Sequence, residues 1–247
     1  LGAEVIAIHQ DASFGEKINA GCGSTHLESL IQLVKEKQLD FGAAFDGDGD
    51  RCLMIDHDGQ IIDGDDIIVI LANYLGIPEV CVTIMANKGL LRWAEKTGVK
   101  IAMTDVGDQN VSAKMREDGI LLGGEQSGHI ILKEHATTGD GLLTALSVLE
   151  VMKNTGKGII ELCDGLKIYP QLLVNVKVTD KTLVMDDEEV QKSIDEVNEE
   201  LNGNGRILVR PSGTEPLLRV MAEAETDEIC ERLVGKVADI IRRKYGA

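Results

Sequence analysis

Ala44-Phe-Asp-Gly-Asp-Gly-Asp-Arg51 decides how the chain is read. Three carboxylates, Asp46, Asp48 and Asp50, stand at alternate positions after the short apolar run Phe41–Phe45. On a straight strand they would share one face about 7 Å apart. A Mg²⁺ ion takes oxygens at about 2.1 Å, so its ligands must converge. Gly47 and Gly49 allow the backbone to curl that far. The pattern therefore points to Mg²⁺ held by Asp46, Asp48 and Asp50, with positions left for water and a phosphate oxygen. An EF-hand would need Gly at the sixth loop position and Glu at the twelfth. Counted from Asp46, those positions hold Arg51 and His57. A plain solvated acidic turn does not call for such regular glycines. Arg51 is placed to pair with a phosphate beside the metal, or else to form a structural pair with Asp50.

Outward from this loop, strands alternate with helices. Upstream, Ala3–Ile8 reads as a strand, residues 16–25 as a Gly/Asn-rich loop, and Thr25-His-Leu-Glu28 as a capping box opening a helix with Leu27, Leu30, Ile31 and Val34 on one face. Downstream, strands are expected at 52–55, 80–85, 99–103, 120–122 and 129–132. Helices are expected at 65–75, 88–97, 108–117 and 139–153. The alternation implies a mostly parallel sheet covered on both faces, with residues 1–60 as the later part of a βαβ domain. After Leu166 the pattern changes. Strands at 172–178, 206–210 and 217–222 and helices at 187–201 and 226–243 read as a small α+β domain with an open sheet. The expected fold class is thus α/β, with mixed βαβ-type sheet domains followed by a C-terminal α+β domain.

Two further loops carry chemistry. Gly123-Gly-Glu-Gln-Ser-Gly-His129 presents short polar side chains on a Gly-flanked turn. Glu125 can accept two hydroxyl hydrogen bonds and Ser127 can donate or accept, which suits a sugar. His129 is read either as a third contact or as a structural histidine. Arg210-Pro-Ser-Gly-Thr-Glu-Pro216, with Arg219 beyond it, brings together two arginines, two hydroxyls and the N–H groups of Ser212, Gly213 and Thr214 as an anion cradle. It is no Walker loop, because no Gly-Lys-Ser/Thr follows.

Formal net charge is -17 over 247 residues. That argues against nucleic acid and against an anionic membrane surface as partners. No apolar run approaches the ~20 residues of a membrane span, and no signal peptide is evident. The five widely spaced cysteines contain no CxxC pair, which fits a reducing cytoplasm. Leu1-Gly-Ala-Glu-Val-Ile-Ala-Ile8 reads as the end of a turn running into a buried strand, so a piece of a longer protein is expected. Such a piece would leave apolar surface open near Val5 and Ile6, and self-association or disorder is expected within the first ~25 residues.

Taken in order, Ala44–Arg51, Gly123–His129, Thr137-Thr-Gly-Asp-Gly141 and Leu208-Val-Arg-Pro-Ser-Gly-Thr-Glu-Pro216 resemble the motifs of the α-D-phosphohexomutase superfamily. Gln126 favours its bacterial glucosamine branch. The resemblance implies three domains here: residues 1–60, the remainder of domain 2 with the metal loop; 61–164, domain 3 with the sugar loop; and 168–247, domain 4 with the phosphate loop. It implies Mg²⁺ on Asp46, Asp48 and Asp50, and Arg51 beside a phosphoserine that belongs to domain 1. It assigns Glu125, Ser127 and His129 to the sugar, and Arg210, Ser212, Gly213, Thr214 and Arg219 to the phosphate that is not transferred. The implied reaction interconverts glucosamine 6-phosphate and glucosamine 1-phosphate through a bisphosphate, for cell-wall precursors. No Ser-His-Asn-Pro-type serine loop occurs in the chain, and Gln109-Asn110 replaces the usual Arg-Tyr. A mannose- or glucose-phosphate relative and a non-catalytic phosphosugar-binding module are the alternatives.

Overall fold

The computed structural model describes residues 2–11, 13, 15–213 and 215–246. They form two compact units, one up to Lys167 and one from Ile168 on. No helix among the described residues is long and apolar enough to cross a membrane.

The first unit opens with α1 (Glu28–Lys37), β1 (Phe41–Phe45), β2 (Cys52–Asp56) and β3 (Ile61–Ile62). The strands form an antiparallel sheet in the order β1-β2-β3. Phe45 pairs with Cys52, so the Asp46–Arg51 loop is the tip of a hairpin. Helix α1 seats Leu27 and Val34 against Ile55 of β2.

Three expectations for this region are corrected. Ala3–Ile8 forms no strand, and Val5 is 80% exposed; it makes no ladder with the β1 edge. Thr25 caps nothing: the helix begins at Glu28, Leu27 stands at its N-cap without a side-chain bond, and Thr25 Oγ1 instead meets His26 Nδ1 at 3.1 Å. Burial of Leu27 (7% exposed) fixes the helix start where a polar cap was expected. The opening sheet is antiparallel, not parallel, because a six-residue Gly-rich hairpin joins its strands and no helical crossover intervenes.

The chain continues through α2 (Gly64–Leu75), β4 (Glu79–Thr83), α3 (Lys88–Thr97), β5 (Lys100–Thr104), α4 (Asp108–Asp118), β6 (Leu122–Gly124), β7 (Ile130–Leu132), α5 (Gly141–Thr155) and the short α6 (Ile159–Leu162). The sheet order is β5-β4-β6-β7; β4 runs parallel to β5 and β6, and β7 returns antiparallel to β6. The helices start where short polar side chains meet free N–H groups: Asp63 caps α2, Asn87 caps α3 and Asp140 caps α5. Four of them stop at a glycine in the left-handed region: Gly76, Gly98, Gly119 and Gly156. Ile67, Ile68, Ile70 and Leu71 of α2 are buried with Val80, Val82, Trp93, Leu122 and Val148 in one apolar core. Each such side chain contributes roughly 1.5–3 kcal/mol.

The second unit comprises β8 (Gln171–Lys177), α7 (Lys181–Met185), α8 (Glu188–Leu201), β9 (Arg206–Pro211), β10 (Leu217–Glu223) and α9 (Asp227–Tyr245). Its sheet is antiparallel with β10 central, in the order β8-β10-β9. Val190 and Val197 of α8 and Leu233, Val237 and Ile241 of α9 form its core with Val176, Val209 and Val220.

Two glycines test this packing in opposite directions. A Cβ at Gly64 would lie 1.9 Å from the Glu125 carbonyl oxygen, a backbone atom that cannot swing away. Gly64→Ala is expected to cost about 1–3 kcal/mol and to lower the thermal midpoint. A Cβ at Gly235 in α9 meets nothing within 4 Å. Gly235→Ala is expected to stabilise by about 0.5–1 kcal/mol through helix propensity. Thermal melts of the two variants beside the parent check both signs.

Candidate functional site

The metal-loop hairpin, the sugar loop and the Thr137–Gly141 turn meet in the first unit, and backbone atoms do most of the joining. The Cys52 N–H donates to the Gly128 carbonyl at 3.0 Å, the Gly141 N–H donates to the Gly49 carbonyl at 2.9 Å, and Arg51 pairs with His129 as an isolated antiparallel bridge. A Cβ on Gly139 would strike His129 Nε2 at 2.4 Å, and one on Gly141 would strike the Arg51 carbonyl oxygen at 2.5 Å. The glycines of Thr137-Thr-Gly-Asp-Gly141 are thus the condition for close approach. Asp140 between them caps α5 by accepting the Leu143 N–H at 2.9 Å.

Within the hairpin tip, the Gly49 N–H donates to the Asp46 carbonyl and Gly49 takes φ +75°, which turns the chain back. Asp46 and Asp50 come within hydrogen-bonding reach of each other. Asp50 is held above the usual carboxylate range, first by burial and then by Asp46. Its Oδ1 is buried without a hydrogen-bond partner among the described residues. Asp48 is exposed. Two of the three carboxylates therefore face each other and the third stays in solvent. Arg51 does not pair with Asp50; its Nε lies 3.8 Å from Asp46 Oδ2, and its N–H donates to Asp46 Oδ1 at 3.2 Å. The guanidinium remains largely exposed. This donor set fits a hard divalent cation: two carboxylates forced together, one with an unsatisfied oxygen, on a loop whose third carboxylate is free.

Asp46, Asp48 and Asp50 do not all converge as expected: among the described residues the cluster of three acidic or histidine groups whose ligand atoms lie within 4.8 Å of one another is Asp56, His57 and Asp58. It is the β2–β3 turn. Asp56 Oδ1 accepts the Gln60 N–H at 2.5 Å and so closes that turn.

The sugar loop is the connection between β6 and β7. The Glu125 N–H donates to the His129 carbonyl, and the Gly128 N–H donates to the Glu125 carbonyl, both at 3.0 Å. Ser127 is exposed at the tip. Glu125 Oε1 accepts the Gly107 N–H at 3.1 Å, tying it to the start of α4 beside Gln109 and Asn110. His129 is 2% exposed and turned toward Asp50, with Nε2 3.6 Å from Asp50 Oδ2. Both its ring nitrogens are buried without a hydrogen-bond partner among the described residues.

Gln126 plays a part the sequence did not disclose. Its Nε2 donates to Asp63 Oδ2 at 3.1 Å, and its carbonyl accepts the Gly64 N–H at 3.0 Å. Asp63 also accepts the N–H groups of Asp65 and Asp66, while Asp66 Oδ2 accepts the Asp63 N–H at 3.0 Å. The reciprocal Asp63–Asp66 cap is readable from spacing; its link to a loop more than sixty positions away is not.

The phosphate loop lies in the other unit. Arg210 and Arg219 are direct cross-strand partners on β9 and β10. The Arg210 guanidinium is held below its usual pKa by burial first and Arg219 second. Neither arginine makes an ion pair among the described residues. Ser212 is buried, and its N–H closes the hairpin on the Leu217 carbonyl at 3.0 Å. That corrects its expected place among the cradle's N–H donors. Its Oγ accepts the Glu215 N–H at 3.4 Å. Gly213 is exposed at the tip, and Thr214 lies outside the described residues. Lys181, unmarked by any motif, donates to the Ser212 and Glu215 carbonyls at 2.6 and 3.2 Å.

Three models of one family match the chain in order. "Phosphoglucomutase/phosphomannomutase, alpha/beta/alpha domain II" matches residues 1–59, "alpha/beta/alpha domain III" residues 63–169, and "C-terminal domain" residues 173–240. The chain belongs to the phosphoglucomutase/phosphomannomutase family. Among its relatives, a protein of Anoxybacillus flavithermus named phosphoglucosamine mutase is 54% identical over 239 residues, 94% of this chain and 54% of that protein. A protein of the same name from Geobacillus kaustophilus is 50% identical over 252 residues, covering 100% of this chain and 56% of the relative. The chain therefore spans about half the length of the curated relatives it matches. In fold it resembles an Aspergillus fumigatus N-acetylphosphoglucosamine mutase solved in complex with GlcNAc-6P and magnesium. The TM-score is 0.75 at 24% identity, over 91% of this chain and 53% of that one.

In this family member the buried acid pair behind the sugar loop sets a pH dependence. Asp66 is pushed up to about 7 from 3.8, by burial first and by the Asp63 charge second. A carboxyl whose folded pKa is raised holds its proton more tightly when folded, so its contribution is greatest below pH 3.8 and declines as pH rises toward about 7. Asp66→Asn is expected to flatten the stability profile across that window and to raise the thermal midpoint at pH 8 relative to the parent. Melts at pH 5 and pH 8 measure it; an unchanged slope would show that Asp66 titrates normally.

Proposed function

We propose that the protein is a phosphosugar mutase that interconverts glucosamine 6-phosphate and glucosamine 1-phosphate through a phosphoserine enzyme and a bisphosphate intermediate, in the cytoplasm, for cell-wall precursors. The relatives named phosphoglucosamine mutase support this reading. The observation that carries it is the Asp46–Asp50 pair, with an unsatisfied carboxylate oxygen, hydrogen-bonded by its backbone surroundings to a polar hairpin that presents Ser127 and Glu125. The division into residues 1–60, 61–164 and 168–247 is part of the proposal.

Asp46, Asp48 and Asp50 would hold Mg²⁺, which when bound neutralises charge on a phosphoryl oxygen. Arg51, exposed beside Asp46, adds a second cation for the same phosphoryl group. Glu125 and Ser127 orient the sugar through its hydroxyls. Glu125 is held to one direction by the Gly107 N–H and so enters binding already positioned. His129 keeps the Asp50 side of the loop filled and dry, and its assignment to the sugar passes through that loop. Arg210 and Arg219, side by side and without an ion pair among the described residues, take the phosphate that is not transferred, with Ser212 and Gly213 in the turn beyond Arg210; Thr214 is assigned to the same phosphate from its sequence position alone. The serine nucleophile lies on a segment that this sequence does not contain, so the 247-residue chain alone is proposed to bind without turning over.

Two measurements test the reading. Mn²⁺, used as a paramagnetic stand-in, should bind the chain, and Asp50→Asn should weaken it by more than about tenfold. Equal binding by parent and variant, or none by either, removes the metal site. Adding the separately expressed N-terminal half should restore turnover of glucosamine 6-phosphate in preference to the mannose and glucose esters. Tight sugar-phosphate binding that never yields turnover with that half would instead favour a binding module.

The exposed Val5 and Ile6 also support self-association of the chain through its first ~25 residues. Light scattering across a concentration series should show mass rising with concentration. A monodisperse monomer with amide protection in that segment would refute it.

A further inference from the structure

We infer that Lys181 is a positioning residue of the phosphate loop: by clamping the carbonyl face of the Ser212–Pro216 turn, it turns the Gly213 N–H outward as an anion donor. The inference rests on the phosphate-binding role proposed for Arg210 and Arg219, and it adds a residue that neither motif nor strand register marks.

The geometry is specific. Asp180 caps α7 by accepting the Thr182 and Leu183 N–H groups at 2.8 and 3.2 Å, which sets Lys181 at the first helical position. From there its ammonium reaches the Ser212 carbonyl at 2.6 Å and the Glu215 carbonyl at 3.2 Å, one on each side of the turn's tip. The Val178 N–H donates to the Pro216 carbonyl at 3.1 Å and fixes the end of β8 to the same turn. A surface lysine with an ordinary role would keep its ammonium in water. This one, half-buried, gives up part of its hydration to hold two carbonyls.

The consequence follows from peptide planarity. No peptide bond among the described residues is cis, and in a trans peptide the carbonyl of one residue and the N–H of the next point opposite ways. Holding the Ser212 carbonyl on Lys181 therefore directs the Gly213 N–H to the far side of the turn. That N–H has no hydrogen-bond partner among the described residues. Among the described residues of the turn the other N–H groups are spent or missing: Ser212 on Leu217, Glu215 on Ser212 Oγ, and Pro216 has none. Gly213 thus becomes the described backbone donor available to a ligand. The cationic clamp also engages the Ser212 and Glu215 carbonyls, whose partial negative charge would otherwise be free to repel an anion.

The test uses the 247-residue chain, inorganic phosphate and glucosamine 6-phosphate as probes, with calorimetry for affinity and the Gly213 ¹⁵N–¹H resonance as the local readout. The parent should bind both ligands with a downfield shift of the Gly213 amide proton. Lys181→Met should move that resonance before any ligand is added, abolish most of its ligand-induced shift and weaken binding about tenfold. Lys181→Arg, whose fork can reach both carbonyls, should recover most of the shift. A Lys181→Met protein that melts lower yet keeps the parental affinity and Gly213 shift would reduce Lys181 to a structural role and overturn the inference, while loss of binding in Arg210→Ala would leave the phosphate loop itself standing. No response of Gly213 to either ligand in the parent, with Arg210→Ala indifferent, overturns both.

Discussion

Close backbone approach around Asp50, Arg51 and Cys52 is the constraint on which the first unit's site depends. Three segments distant in sequence meet there through main-chain hydrogen bonds: the hairpin tip, the Gly128 turn and the Gly139–Gly141 turn. Side chains at Gly139 and Gly141 would force them apart. Backbone atoms cannot hop rotamers, so this arrangement carries little configurational freedom. It fixes where the carboxylates of Asp46 and Asp50 stand before any ligand arrives, and such preorganisation keeps the cost of ordering out of the binding step.

Charge placement obeys a second rule. The chain has a net charge of -17, and its chemically marked positions bring like charges together, with Arg51 and His129 offsetting the acidic pair only in part. In one unit two carboxylates face each other, and burial with repulsion raises Asp50. In the other, Arg210 and Arg219 stand side by side, and burial with repulsion lowers Arg210. Where charge serves structure alone the same protein pairs it: Arg206 meets the fully buried Glu223 at 2.7 Å, and Lys244 and Tyr245 hold Asp187 well below the usual carboxylate range. A third like-charged pair, Asp63 and Asp66, is structural and is satisfied by N–H donors at the start of α2 and by Gln126; the two pairs on the loops suit ligands of opposite sign.

The parts legible in the sequence are those with local causes. Helices α2, α3, α5 and α9 show their apolar spacing and their caps, and the structure starts them within one or two residues of expectation. The hairpin turns at 46–51 and 211–216 are legible as turns because glycine, proline and charge recur at fixed spacing. What was not legible depends on distant partners. Ala3–Ile8 has strand composition, but composition cannot supply the neighbouring strand that a ladder requires. Thr25 has a capping pattern, and tertiary burial of Leu27 overrides it. Lys181 sits in an unremarkable stretch; only the fold brings its ammonium to a turn thirty positions away.

Gln126, a motif residue, makes its contacts away from the tip of its loop. Placed between Glu125 and Ser127, it invites assignment to the sugar. Its amide nitrogen is instead held by Asp63 and its carbonyl by the Gly64 N–H, so both ends face the N-terminus of α2. An apolar residue at this position would leave Asp63, a buried acceptor already raised by desolvation, with one donor fewer. Its influence on Glu125 and Ser127 therefore runs through the backbone of the hairpin they share, by setting how far the loop stands off α2. A substitution at Gln126 then acts on the placement of this loop, with no requirement that the side chain touch a ligand.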